Sequence, residues 1–382
     1  MINSTRINIT LSEANAYINF NTDNNVSSVM YATGFDLAPN SNFSNFANGC
    51  ENLVATPQDI FNGFNPYMNA IEDISNAFRN CYNLTGEPYI TSNVYNASYA
   101  YANCNNLTGN PVIVESNHQY YGLNMFHMYE GCSNLTGKPV IPVNRKPQNM
   151  CYAYAECTNI TGNPVRPIPS SSDYSPFNFI GVYKNCRNLT GGPVIAARAE
   201  DMSYAYYGCT NITGQPQIGN TNLCGNMEYA YYMCSSLNGT YVVPVNVINL
   251  VSAYEGCSNM KSSTIGLTTP EYGNGLVNMA NCFKGKGENV YINIKTHSSN
   301  VWNNWLHTYG NSGENSITGN NFNWVNDPSG QRFFNMEEGI LVYYNANFPP
   351  KPLPVGNIEL NYFNLTSVNT TLTELVVRNM EG

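Results

Sequence analysis

Cysteine is the chemically capable residue with the most regular spacing in this chain. Ten of the twelve cysteines recur in one frame: Cys50, Cys81, Cys104, Cys132, Cys157, Cys186, Cys209, Cys234, Cys257 and Cys282, with Cys151 and Cys224 outside it. Thiols in such number can pair as disulfides, hold a metal or serve as nucleophiles. The intervals between them average about 26 residues, a repeat length rather than a ligand spacing. There is no Cys-x-x-Cys pair, and the four histidines, His118, His127, His297 and His307, show no close pairing of ligands. The sequence therefore calls for no metal and no cofactor. Cysteines one repeat apart would lie within disulfide reach, but their parallel side-chain vectors are poorly aimed at each other. The expected state is a column of small, buried, reduced thiols.

Other chemical signals are weaker. Asn83, Asn106, Asn134, Asn159, Asn188 and Asn211 each open an N-[LI]-T triplet, the acceptor pattern for N-glycosylation. Their place in the repeat suits a hydrogen-bonded turn in each coil better. No nucleophile elbow, phosphate loop, metalloprotease motif or dinucleotide fingerprint is present, and the carboxylates are scattered over variable positions. The expectation is a protein that is not an enzyme, the weaker alternative being a glycan-acting enzyme with its site in the C-terminal region.

What must position these residues is the repeat itself. MSYAYYGCTNITGQP at 202–216 recurs as AFRNCYNLTGEP, AYANCNNLTGNP, MYEGCSNLTGKP, AYAECTNITGNP and VYKNCRNLTGGP, with worn copies at 46–53, 230–241, 253–260 and 279–282. Counted from the Ala of AYYGC, apolar residues fall three before it, at it, four after it and seven after it. Those steps predict a short helix of about two turns with Met, Ala and Cys facing inward. The Tyr after the Ala would widen that apolar face and leave its hydroxyl at the wet edge. Asn and Gly then end the helix, and Leu84, Leu107, Leu135, Ile160, Leu189 and Ile212 plug the core as the chain turns. A Pro followed by apolar residues predicts a very short strand, stacked in parallel from coil to coil.

The order A-[FY]-x-x-C-x-N-L resembles the BspA-like leucine-rich repeats, closest to the Asn- and Tyr-rich variety of bacteriophage and gut-bacterial proteins. The resemblance covers residues 46–285. It implies an α/β solenoid, a leucine-rich-repeat-like right-handed coil of about ten repeats with short helix and short parallel strand, between β-rich caps. The corresponding division is an N-terminal cap or attachment segment at 1–45, the solenoid at 46–285, a C-terminal cap at 286–347, and a Pro-rich spacer with a small β appendage at 348–382. In the tail, strands are expected at 289–294, 322–325, 340–344, 358–363 and 372–377, and a helix after Ser298 that places Trp305 in its core and leaves Trp302 as a candidate binding residue.

Composition narrows the function classes. Only 11% of residues are charged and the net charge is -9, with no Lys/Arg cluster, which argues against nucleic acid or an anionic membrane. No segment has the apolar length of a membrane span. The start of the chain lacks a basic region followed by an apolar core, so export by a signal peptide is not expected. Tyr, Asn, Ser and Gly dominate the surface-forming residues, as they do in antibody binding loops. The expectation is a structural or recognition protein of a bacteriophage virion, such as a fibre, tail or head decoration, with a homo-oligomer anticipated. Its partners would be other virion proteins or a host surface protein or glycan. The alternative is a cell-surface adhesin of a bacterium or protist.

Overall fold

The computed structural model describes residues 41–62, 71–115, 122–141, 147–165, 177–195, 199–214, 217–218, 224–243, 247–260, 262–267, 278, 280–285, 291–296, 325–326, 332–335 and 340–343. Residues 1–40 of the N-terminal cap expected at 1–45, the helix expected after Ser298, Trp302, Trp305 and the segment 348–382 lie outside these residues.

The segment that carries each register cysteine is not a helix. Around Cys81, Ala77 N–H donates to Ile74 O, Arg79 to Asn76, Cys81 to Phe78 and Leu84 to Cys81, all three-residue spans. The intervening N–H groups, those of Ile74, Asn76, Phe78 and Asn80, donate to Asn96, Ser98, Ala100 and Ala102 of the next coil. Half of the donors thus leave the segment, where a helix would keep them inside it. Asn76 and Asn80 have φ of 54° and 62°, and the third position of a type II turn requires such a positive φ. The coils of Cys50 to Cys257 all repeat this at five residues and at one residue before the cysteine, as at Tyr204 and Gly208 or Tyr229 and Met233. Two left-handed residues four apart fold the chain into tandem turns, which return residues three and four apart to one side. The three–four–three spacing has that origin, and the expected two-turn helix is corrected accordingly. Among the described residues the α-helix is Pro57–Asn62, in a connection, capped by Thr56, whose Oγ1 accepts Asp59 N–H at 3.0 Å.

Coils pair through two sets of short parallel strands. One set follows the repeat's Pro: Tyr89–Ile90 pairs with Val112–Ile113, and Val194–Ile195 with Gln217–Ile218. The other ends at the residue before the turn segment: Ser41–Asn42 with Ile71–Asp73, Leu123–Asn124 with Pro147–Asn149, and Phe177–Asn178 with Ala199–Asp201. That terminal residue is Asn or Asp in each coil. Its Oδ1 accepts the N–H two residues on, as from Ser75 to Asp73 at 2.7 Å and from Phe126 to Asn124 at 3.1 Å. Its amide reaches the preceding coil, Asn96 Nδ2 to Asp73 Oδ2 at 3.1 Å and Asn226 Nδ2 to Asp201 Oδ2 at 2.9 Å. Farther along the chain the ladder lengthens. Thr240–Val242, Ser262–Leu267, Tyr291–Thr296 and Ile340–Tyr343 pair in parallel, and Arg332–Asn335 and Val325–Asn326 add antiparallel strands. No helix among the described residues is long and apolar enough to cross a membrane.

The core runs along the stack as columns of like residues. Ile74, Met125, Met150, Met202 and Met227 form one, and Ala77, Ala100, Ala153, Ala205 and Ala230 a second, all buried. Small side chains in the second column let the ring column beside it fill the space.

Candidate functional site

The cysteine column is chemically quiet. Each thiol donates to the carbonyl three residues before the preceding coil's cysteine: Cys104 Sγ to Phe78 O at 2.9 Å, Cys132 to Tyr101 at 3.1 Å, Cys157 to Tyr129 at 3.0 Å and Cys186 to Tyr154 at 3.0 Å. Cys81, Cys209, Cys234 and Cys257 repeat the contact. All twelve cysteines are free and buried. Burial pushes the Cys132 thiol up to about 12 and its neighbours upward as well, the opposite of what a reactive cysteine needs. Cys282 does not belong to this column. Tyr254 N–H donates to Cys282 O as Tyr231 N–H does to Ala253 O, and Phe283 stacks on Tyr254 at 5.7 Å. Cys282 therefore occupies the Ala position, four residues out of the expected register. No group of metal-ligating side chains occurs among the described residues.

Leu84, Leu107, Leu135, Ile160, Leu189 and Ile212 are fully buried beside the cysteines. The Tyr after the repeat's Ala is also fully buried, which corrects its expected place at the wet edge. Tyr101, Tyr129, Tyr154, Tyr183, Tyr206, Tyr231 and Tyr254 form a continuous ring stack, with Tyr206 and Tyr231 at 5.5 Å and 2°. The hydroxyls of Tyr101, Tyr154, Tyr183 and Tyr206 each bond the backbone of the residue after a repeat's Pro. Tyr206 OH accepts Val194 N–H at 2.9 Å and donates to Val194 O at 2.8 Å, and Tyr183 does the same at Val165. Asn of the N-[LI]-T triplet bonds to the preceding coil instead of its own turn: Asn83 Nδ2 to Glu51 O at 2.9 Å and Asn188 Nδ2 to Asn159 Oδ1 at 3.1 Å.

What faces outward is a second aromatic column that the helical reading of the sequence misses. It is built at the first left-handed position in the coils of Cys104, Cys132, Cys157, Cys209 and Cys234, where Tyr99, His127, Tyr152, Tyr204 and Tyr229 stand half-buried. His127 stacks between Tyr99 at 4.7 Å and Tyr152 at 4.8 Å, and Tyr204 on Tyr229 at 5.1 Å. Three residues on, Tyr207 and Tyr232 form a parallel pair at 4.8 Å, with Tyr207 5.9 Å from Tyr204. Cations already lie on these rings: the Arg79 guanidinium is 4.7 Å from the Tyr99 ring centre and Lys184 Nζ 5.9 Å from that of Tyr207. Carboxylates border them. Glu130 Oε2 lies 2.6 Å from His127 Nδ1, and Lys284 Nζ is 3.3 Å from Glu255. Burial first, then the charges of Glu228 and Glu255 respectively, hold the Tyr204 and Tyr232 hydroxyls above their ordinary pKa, so they act as neutral hydrogen-bonding groups. The signal in the sequence is the residue two before the repeat's inward Tyr or Phe, aromatic in coil after coil. On a helix that position would carry no stack, so it draws no notice there.

No protein family, curated protein or solved structure matches the chain.

Proposed function

We propose that this chain is a non-enzymatic recognition protein of a bacteriophage virion, a fibre, tail or head decoration that presents a leucine-rich-repeat-like solenoid surface to a host surface protein or glycan. In this reading tandem turns take the place of the BspA-like helix. The observation that carries it is the outward aromatic column: rings held in register by the same ladder that buries the core, in a protein whose thiols are buried and inert. Stacked aromatics with neutral hydroxyls offer contact area at low cost in side-chain entropy. The ends of the solenoid would attach it to other virion proteins, and self-association would give it symmetry. Mass spectrometry of purified particles tests the assignment. The protein should be a stoichiometric component of the particle, and its absence from particles that encode it would remove the reading.

A further inference from the structure

We propose that the outward face across the coils of Cys157 to Cys282 docks a second copy of this chain, paired antiparallel about a two-fold axis between Tyr207 and Tyr232. This rests on the self-association in the reading above and names its interface. After Gly181, which adds no side chain to the column, the face resumes as a block of four half-buried tyrosines. Tyr204 stacks on Tyr229 at 5.1 Å and Tyr207 on Tyr232 at 4.8 Å. Tyr204 lies 5.9 Å from Tyr207, and Tyr229 5.5 Å from Tyr232. Charged residues continue this block at both ends. Toward the start of the chain, Lys184 Nζ lies 5.9 Å from the Tyr207 ring centre and 3.9 Å from Glu156 Oε1. Toward its end, the charge of Glu255 acts on the Tyr232 hydroxyl, and Glu255 Oε1 is 3.3 Å from Lys284 Nζ. Glu156, Lys184 and Lys284 keep a third or more of their side chains exposed, and Glu255 a smaller part. One residue from each of six successive coils thus makes the series Glu156, Lys184, Tyr207, Tyr232, Glu255, Lys284.

Reversed, that series is its own electrostatic complement. A two-fold axis lying in the face, perpendicular to the stack, sets Glu156 against Lys284 of the second copy, Lys184 against its Glu255, and Tyr207 against its Tyr232. Each end then holds two cations and two anions, every charge having an opposite neighbour within its own copy and another across the interface. The same axis sets Tyr204 against Tyr229 of the second copy. Tyrosine meets tyrosine edge to face and hydroxyl to hydroxyl, groups that satisfy one another. Register and direction are fixed as well. A slip of one coil brings Lys184 onto Lys284 in one direction and Glu156 onto Glu255 in the other, and parallel pairing sets every charge against its like. Six coils spaced about 4.8 Å apart span roughly 24 Å, close to the width of a patch of about 800 Å² per partner. A glycan or an unrelated protein needs no such mirrored order. Tyr99 and His127 lie outside the patch, in the coils of Cys104 and Cys132, and stay open to a host ligand.

The test is sedimentation equilibrium of the full chain up to about 100 μM, with circular dichroism on every variant. The parent should give twice the chain mass, in an association that weakens as salt is raised. Lys184→Glu and Glu255→Lys should each weaken it roughly tenfold or more, because each sets like charges across the interface at both ends. An equimolar mixture of those two variants should recover most of the parent's affinity, since every pair across the interface is then opposite again. Glu156→Lys with Lys284→Glu makes the same cross at the outer positions should Glu255→Lys fail to fold. A monomeric parent, a trimer or larger ring, single variants that associate like the parent, or a mixture no stronger than its components overturns the proposal. So does a tyrosine block that binds only a host protein or glycan. Those results leave the virion assignment standing when the protein is still found in particles. A charge-dependent dimer absent from particles would instead uphold the interface and remove the virion assignment.

Discussion

Two tyrosines of the inner stack show how much one hydroxyl contributes. Tyr206 OH closes two hydrogen bonds on Val194 in a fully buried setting. Tyr206→Phe leaves that N–H and C=O unpaired and should cost about 1–3 kcal/mol in urea unfolding. Tyr129 OH is buried with no hydrogen-bond partner among the described residues. Tyr129→Phe removes only an unsatisfied group and should be neutral within about 0.5 kcal/mol, or stabilising. The thiols make a second prediction, with a definite sign. Burial raises the native pKa of Cys132 from 9.0 to about 12. Native protein therefore holds the proton that the unfolded chain loses between those values, so stability is intact below pH 9 and falls as pH rises toward 12. Thermal melts across pH 7 to 11 should show a steep alkaline loss. Reductant should leave the melt at pH 7 unmoved, and alkylation of the intact protein at pH 8 should label few thiols.

At the scale of the element, the tandem-turn segment depends on left-handed residues and on the Asx ladder. A left-handed φ costs an ordinary L-residue about 1–2 kcal/mol, and Asn escapes part of that cost. Met233 sits there with φ 58° and is 46% exposed, so little packing compensates it. Met233→Asn should raise the melting temperature by a few degrees. In the ladder, Asn226 Nδ2 donates to Asp201 Oδ2 at 2.9 Å. Asn226→Asp replaces that donor by a carboxylate against a carboxylate, and should destabilise by about 1–3 kcal/mol at pH 7. The penalty should shrink near pH 4, where carboxylates begin to protonate, in paired melts at the two values.

On the scale of the whole molecule, each coil contacts its neighbours through ladders and columns, so stability is close to a sum of coil and interface terms. An internal defect then severs the stack, whereas a defect near one end frays it. Leu189 lies mid-stack and Leu53 in the first described coil, both fully buried. Leu189→Asp should abolish the cooperative transition seen by circular dichroism, while Leu53→Asp should remove only part of its amplitude. That contrast also decides between a linear stack and a globule with one shared core, in which both changes would be ruinous.

The repeat, its period, the inward Cys, Leu and Ala columns and the turn chemistry of Asn and Gly are legible in the sequence, because burial and backbone tolerance act on each residue type locally. The helix is a misreading because three–four–three spacing is common to a helix and to tandem turns. Only the destination of the N–H groups separates them, and half of those go to another coil. Cys282 falls out of register for the same reason, since its alignment is set by which carbonyl it offers to Tyr254 and not by its identity. The Asx ladder is visible as Asn or Asp ahead of each turn, yet its meaning lies in contacts to residues more than twenty positions away. Residue type alone determined what is buried and where the chain can turn. Tertiary structure decided which coil each hydrogen bond serves, and so which tyrosines lie inside and which form the broken column at Gly181, because stacking is a property of neighbouring coils that no single coil encodes.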